Sequence, residues 1–460
     1  MRYCVILMGV VFAAAMAAAQ APAAPASLQE QIDANPGRVI EVPPGEHRID
    51  KRLRFAAKGG GLYGFGTIVQ CNPAEPILEI EHASDLRVRE VTLSRAASEA
   101  PAKAPGILCV DSRNVTIEGV RVLDAQAREA AVEIRQCAGC VVRNSEIRDY
   151  QCIAVDDRTE SELYGYAFFC IDGTGICVKD STGTILAGNR IVETSLLPTK
   201  EMKEQHQLGK LTDGVKPPHQ GALASGAFQH GYVNNWHQGS AILVTGPEVT
   251  RHTTISGNHI ENAAQGIDLH CDNAVCTDNV VDHGMMGIKA THGCRNLIIA
   301  NNMLTHIDLW GILLNPGALS HAAEPANAGN PPRAANVDGG TIIANNVISD
   351  YGCGNEYWNW GGASPDHGGS YAIALYEGQL PTNPPLTDVL VQGNIVYDAG
   401  RDQVLKDGVP QTEPPRYQYA VYIGPWGGGA PGPTFPKGLH FSGNLFHPGT
   451  RGVSSIPLEP

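Results

Sequence analysis

Side chains able to move protons and hold anions crowd the middle of this 460-residue chain. Asp268 and His270 come first, and Lys289 and His292 follow about one repeat later. Eight of the 16 histidines fall between His230 and His306. Imidazole titrates near neutrality, so His270 and His292 are candidate general bases. A lysine beside Asp268 stays an ammonium, which suits gripping an anion and opposes taking a proton. Lys289, His270, His292 and Asp268 are therefore the candidate catalytic set, able to grip an anion and to move a proton. A metal held by His270, Asp272 and His292 is a further reading, although the spacing matches no zinc pattern. Asp156-Asp157, with Glu160 and Glu162 nearby, can hold calcium or act as catalytic acids. A solvated acidic turn has the same composition.

A repeat must position these groups. From Gly239 to Gly317 the chain reads as three coils of small-Ile-x-Φ-x, a turn, Φ-x-x-Asn-x-Φ and another turn, where Φ is apolar. The dipeptides are Ala241-Ile242, Gly266-Ile267, Gly287-Ile288 and Gly311-Ile312, and Asn258, Asn279 and Asn302 recur with a period of 21 to 25 residues. Short strands broken by turns at that period mark a solenoid. The apolar positions are mostly Ile and Val, and no helical segment fits inside a coil, which sets the chain apart from leucine-rich repeats. Asparagine holds the ladder position at 189, 258, 279, 302, 346, 394 and 444, after Val91, Val120 and Ser145 in earlier coils. Stacked amides bond from coil to coil, so the ladder reads as structural.

Stacked parallel strands place equivalent residues about 4.8 Å apart in columns. With Ile pointing inward, one outward column runs Leu108, Glu133, Cys177, Leu243, Asp268, Lys289, Leu313, Ala374, Tyr422. The next runs Val110, Arg135, Lys179, Thr245, His270, Thr291, Asn315, Tyr376, Gly424. Arg135, Lys179, Asn315 and Tyr376 are thus candidate substrate-binding residues flanking the catalytic set. The column before Ile is always Gly or Ala; it reads either as a flat strip for an extended ligand or as a steric need of the turn. Three insertions break the period, at about 193–238, 318–338 and 350–370. The first contains a helical stretch from Thr199 to Gln207 and carries His237; the third carries Trp358 and Trp360. These three join the substrate-binding candidates, with the tryptophans placed to stack on sugar rings. The second insertion, rich in Pro, Ala and Asn, has the composition of a flexible excursion.

Composition narrows the function. A formal net charge of −14 opposes non-specific nucleic-acid binding, and 52 Gly and 31 Pro suit a turn-rich β protein. Arg2, the apolar run Val5–Ala19 and Ala17-Ala18-Ala19 read as a signal peptide cleaved after Ala19, predicting a secreted or periplasmic chain without membrane insertion. Of 12 cysteines, Cys4 lies in that leader, leaving an odd number and at least one free thiol. Cys137-x-x-Cys140 has no second pair, and the cysteines read as stacked inside coils or stapling turns. Residues 20–26 read as a linker, 27–450 as one domain and 451–460 as a tail.

Ser27-Leu-Gln-Glu30 is a capping box that opens a short helix to Ala34. Arg38–Val42, Pro43-Pro44-Gly45 and the Gly-rich Gly59–Gly66 stretch follow. This succession resembles the N-terminal cap of right-handed parallel β-helix proteins of the pectate-lyase-like superfamily. The resemblance implies an all-β fold, a right-handed parallel β-helix solenoid with a short N-terminal capping helix, and a carbohydrate-active enzyme. In lyases of that fold a Lys, Arg, His or Tyr takes the proton α to a uronate carboxylate, which a cation or Ca2+ neutralises. The leading expectation is a polysaccharide lyase, a monomer cleaving an acidic polysaccharide by β-elimination. Alginate lyases and chondroitinase B of this fold carry an Arg one coil after the catalytic Lys, where this chain offers Leu313. A glycoside hydrolase or epimerase using Asp156, Asp157, Asp268 or Glu377 is the alternative, although the G-H-G and R-x-K motifs of polygalacturonases are absent. A non-catalytic carbohydrate-binding or adhesin solenoid is the third reading.

Overall fold

The computed structural model describes residues 26–98, 101–156, 167–212, 237–327, 329–350, 370–397, 404–406, 409–411, 417–425 and 429–458. The leader, Asp157, Trp358 and Trp360 lie outside them. No helix among the described residues is long and apolar enough to cross a membrane.

The coil repeat folds as its periodicity requires. Among the described residues, one strand from each coil joins a 12-stranded parallel sheet, and the remaining coil strands join a 21-stranded parallel sheet. The capping box forms: Ser27 caps helix α1 (Leu28–Ala34), Glu30 reaches back to the Ser27 N–H, and Leu28 and Ile32 are buried against the first coils. The long strands that carry the candidate site are β1 (Ser240–Thr245), β2 (His259–Leu269), β3 (Val280–Thr291) and β4 (Met303–Asn315). They are followed by β5 (Tyr371–Tyr376) and β6 (Tyr419–Gly424).

The inward residues of all coils, Ile242, Ile267, Ile288, Ile312 and Ile373 among them, form one continuous apolar core. Along one corner the asparagine ladder runs unbroken from Asn189 to Asn444. Each Nδ2 donates to the next Oδ1 at 2.9 to 3.0 Å. The same Oδ1 also accepts the preceding asparagine's backbone N–H, and the second amide hydrogen goes to a carbonyl of the coil before. The amide nitrogen and oxygen of each buried ladder asparagine are thereby satisfied.

Two expectations need correction, and one choice between two readings is decided. The Gly/Ala column is not a strip open to ligand: Ala131, Ala241, Ala372 and Ala420 belong to the core, and a Cβ on Gly287 would lie 2.4 Å from the Gly311 carbonyl oxygen. The small residues are a steric requirement of coil stacking. The insertion at 318–338 is not a loose excursion but a paired arm, with antiparallel bridges His321–Asn336, Glu324–Arg333 and Asn327–Asn330, and His321 and Arg333 both on Glu248. The stretch read as a tail after 450 contributes a strand, Gly452–Ser454, that pairs with β6. By contrast, the helical stretch forms where the sequence placed it, as α2 (Lys200–His206), capped by Thr199 and closed by Gln207 in the left-handed conformation. Of the ten cysteines among the described residues, all but Cys71 are buried.

Asn302→Ala would leave the Asn279 backbone N–H and the Cys276 carbonyl without their partners. At roughly 1–3 kcal/mol for each buried group left unsatisfied, the urea midpoint of unfolding should drop clearly. An unchanged midpoint would show that the ladder carries no stability.

Candidate active site

The registers of β1 to β6 reproduce the outward columns. Leu243, Asp268, Lys289, Leu313, Ala374 and Tyr422 sit side by side across successive coils. Arg135, Lys179 and Thr245 do the same in the neighbouring column. Stacking therefore brings four residues of the candidate set into one cluster.

Asp268 is its centre, and its residue surface is only 4% exposed. Lys289 Nζ donates to Asp268 Oδ2 at 3.1 Å and to Gln265 Oε1 at 3.0 Å. His270 Nε2 approaches Asp268 Oδ1 at 3.0 Å, a close contact that is not aligned as a hydrogen bond. The other nitrogen of that ring, Nδ1, lies 3.1 Å from Thr245 Oγ1. Burial would push the Asp268 carboxyl up, but His270 and Lys289 outweigh it and hold the group below the usual carboxylate range. Asp268 is thus an ionised anchor for two basic side chains.

His292 packs edge-on against His270, with ring centroids 4.7 Å apart. Burial, then the adjacent His270 and Lys289, push its pKa down to about 3, so the ring is neutral at ordinary pH. The Leu319 backbone N–H reaches Nδ1 at a long 3.4 Å. The backbone of His292 is left-handed, at φ 69°, and Gly317 lies so close that a side chain there would collide with the ring. Asn336 donates to the His292 carbonyl at 2.9 Å and to the Leu319 carbonyl at 2.8 Å. The paired arm thus holds this histidine in place.

Buried beneath the same turn, Asp338 accepts the backbone N–H groups of Gly293 and Cys294, both at 3.0 Å, and the Ser320 hydroxyl at 2.6 Å. Burial pushes its carboxyl up to about 7 despite these donors.

The other candidates separate. Arg135 makes a 3.4 Å contact with Glu133, and Lys179 is exposed; both line the same face on earlier coils. Asn315 is buried and donates to the Glu377 carbonyl at 2.6 Å. Tyr376 is 2% exposed and accepts a hydrogen bond from Trp310 Nε1 at 3.2 Å. His237 is fully buried beside Ile171. Asp156 is buried in a strand, Cys152–Asp156, of an antiparallel hairpin. Each of these four is packed into the fold rather than presented to a ligand. Leu313, Trp310, Tyr371, Tyr376 and Tyr422 form an apolar cluster on the coils that follow Lys289, and Tyr371 stacks on Tyr422 at 4.2 Å.

Sequence reasoning missed Gln265, Thr245, Leu319, Asn336 and Asp338. Gln265 was within reach, because the column one place before the small residues runs Ser240, Gln265, Met286, Trp310, Tyr371 and Tyr419. The arm residues carried no periodic signal.

No family model matches the sequence, and no curated protein is similar to it. Solved structures are. The catalytic domain of a GH87 α-1,3-glucanase in complex with nigerose superposes with a TM-score of 0.53 at 11% identity, covering 94% of this chain and 64% of that domain. The alginate lyase AlyF-OU02 in complex with G6 superposes at 0.52 and 10% identity, over 93% and 84% of the two chains. The Dettilon tailspike protein gives 0.53 at 13% identity, over 93% and 63%. The fold is the right-handed parallel β-helix. This β-helix spans about two thirds of the glucanase domain and of the tailspike, and at such identities the likeness speaks for architecture alone.

The β-helix should show a pH dependence traceable to Asp338. Its folded pKa lies above the unfolded value, so its contribution to stability is full below about pH 4 and is lost as pH rises through about 7. Glu193, also raised by burial to about 7, acts in the same window. Asp338→Asn should therefore flatten, without abolishing, the decline in the urea midpoint between pH 4 and 8. An unaltered slope would show that Asp338 titrates as an ordinary carboxylate.

Proposed function

We propose that this β-helix is a polysaccharide lyase that cleaves a uronate-containing glycan by β-elimination. The observation that carries the reading is the neutral imidazole of His292 beside an ammonium, Lys289, that a buried carboxylate holds in place. β-Elimination needs a cation on the uronate carboxylate and an acceptor for the proton on the adjacent carbon. Lys289 uses hydrogens on Asp268 and Gln265, and a third remains for the substrate carboxylate.

Between the two histidines the geometry favours His292 as acceptor. His270 is held by Thr245 Oγ1 at Nδ1 and lies with Nε2 in close, unaligned contact with the buried Asp268 carboxylate, whereas His292 meets the long contact from the Leu319 N–H. With its proton on Nδ1, at the loss of that contact, the ring turns the Nε2 lone pair outward. It takes the C5 proton as charge moves onto the carboxylate against Lys289. The C4–C5 double bond forms, the C4–O bond breaks, and His292 returns the proton to the departing oxygen. Asp268 and His270 are positioning residues in this scheme. Arg135 and Lys179 hold neighbouring acidic sugars. Calcium is assigned no step, since Asp156 is buried in the hairpin.

Hydrolysis would need two carboxyl groups placed across the scissile bond. Asp268 has both oxygens against basic groups, and Glu133 lies three coils along the same column, roughly 14 Å away at the coil spacing. Glu377 is tied to the Gly432 N–H at 2.8 Å. Among the described residues this pattern supports elimination over hydrolysis. The similar solved structures include the alginate lyase AlyF-OU02 and a GH87 glucanase, so the fold is compatible with either chemistry.

The purified protein should generate unsaturated uronate absorbance from alginate, pectate or a glycosaminoglycan. Lys289→Ala and His292→Ala should each lower kcat/KM by about 100-fold or more. Because His292 must be neutral to accept a proton, the acid limb of the rate should lie near pH 3 rather than near the ordinary histidine value. New reducing ends without unsaturation would replace this reading with hydrolysis, and full activity in Lys289→Ala would remove its central residue.

A further inference from the structure

The 12-stranded sheet carries a basic surface near its N-terminal end, on strands Gly61–Tyr63, Arg87–Arg89, Thr116–Glu118 and Val141–Arg143. The Asp268 cluster stands on the other large sheet. Register aligns two outward columns on this surface. One runs Val39, Gly61, Arg87, Thr116 and Val141, and the other Glu41, Tyr63, Arg89, Glu118, Arg143 and Ala187.

Arg87, Arg89, Thr116, Glu118 and Arg143 line a depression of about 270 Å3. Arg87 stands between Gly61, which has no side chain, and Thr116, which has a short one. Glu118 is shared by two arginines: Arg143 Nη2 lies 2.9 Å from Oε1, and Arg89 Nε lies 3.5 Å from Oε2. One carboxylate thus orients two guanidiniums and neutralises one charge. Arg87 is exposed and has no carboxylate partner among the described residues. The lining therefore sets three cations against one anion, on a chain whose formal net charge is −14. Beside Arg89 in its column, Tyr63 is 40% exposed, and Phe65 next to it is 67% exposed. Their ring centroids are 6.1 Å apart. Two adjoining rings left in solvent beside unneutralised guanidiniums mark a surface made for contact.

We propose that this surface is a second, non-catalytic binding site for a chain of acidic polysaccharide. Guanidinium is planar and matches a carboxylate through two parallel hydrogen bonds. Exposed aromatic rings offer apolar faces on which sugar rings stack. From Tyr63 to Arg143 the surface covers three coil steps, roughly 14 Å, which suits a short run of sugars better than a monosaccharide. Glu41 and Ala187 end the column on either side. So short a cationic run, on a chain of this net charge, opposes a nucleic-acid occupant. The inference shares with the lyase reading only the acidic glycan, and it requires no bond to be broken.

Full-length Lys289→Ala protein is the parent for the test, so that turnover at the Asp268 face does not consume the polymer. It is run through native gels containing alginate, polygalacturonate or neutral dextran. At least one uronate polymer should retard it, dextran should not, and the retardation should fade as salt is raised. Arg87→Gln/Arg89→Gln/Arg143→Gln in this parent should raise Kd by about 10-fold or more. Tyr63→Ala/Phe65→Ala should weaken binding several-fold. Arg87→Gln alone strands no carboxylate, so it should weaken binding with circular dichroism and Tm unchanged. Equal retardation of the triple variant and its parent would overturn the proposal and leave the lyase reading standing. Loss of retardation in the triple variant would support this surface even if the wild type cleaves none of the polymers. Retention on dextran equal to that on the uronates, or no retention on either uronate, would also overturn it. So would tighter binding of a DNA oligonucleotide, which would assign the surface to nucleic acid.

Discussion

Each coil of this protein must offer the next one a matching backbone edge about 4.8 Å away. Parallel stacking lets neighbouring coils satisfy one another's N–H and C=O groups, and any residue that pushes two coils apart breaks many bonds together. The Gly/Ala column and the asparagine ladder are two answers to this constraint. At Gly287 there is no room for a Cβ beneath the Gly311 carbonyl. At Asn302 a buried corner group is bonded to the coils on both sides.

The same constraint makes the site. Asp268 and Lys289 are far from touching along the chain, yet they occupy one column in adjacent coils and form an ion pair at 3.1 Å. The outward face is free of the packing rule, so it is where chemistry can vary. Early coils place Glu133, Arg135 and Lys179 there, the middle coils Asp268, His270 and Lys289, and the later coils Leu313, Ala374 and Tyr422. An ionic stretch thus passes into an apolar one along a single strip. The column that runs from Asp149 through Glu193 and Asn262 to His283 and His306 varies likewise.

Insertions add what the repeat cannot. The arm at 318–338 grips Glu248 through His321 and Arg333, and its Asn336 and Leu319 secure His292. Asp338, just past the arm, ties the turn after His292 to Ser320. The position of the candidate proton acceptor depends on contacts that lie outside the coil pattern.

Sequence alone determined the solenoid, its ladder, the helix caps at Ser27 and Thr199, and the columns that group Asp268, His270 and Lys289. These follow from periodicity and local capping, which repeat or act over a few residues and so are visible in one dimension. Only the tertiary structure decided which outward residues face solvent. Asn315 and Tyr376 share a column with Lys179, yet partners from distant segments, Glu377 and Trp310, bury them. It also decided that the Pro- and Asn-rich insertion is a braced arm and that Gln265 completes the grip on Lys289. Burial and side-chain convergence depend on which coils lie next to each other, and that order exists only once the chain has wound.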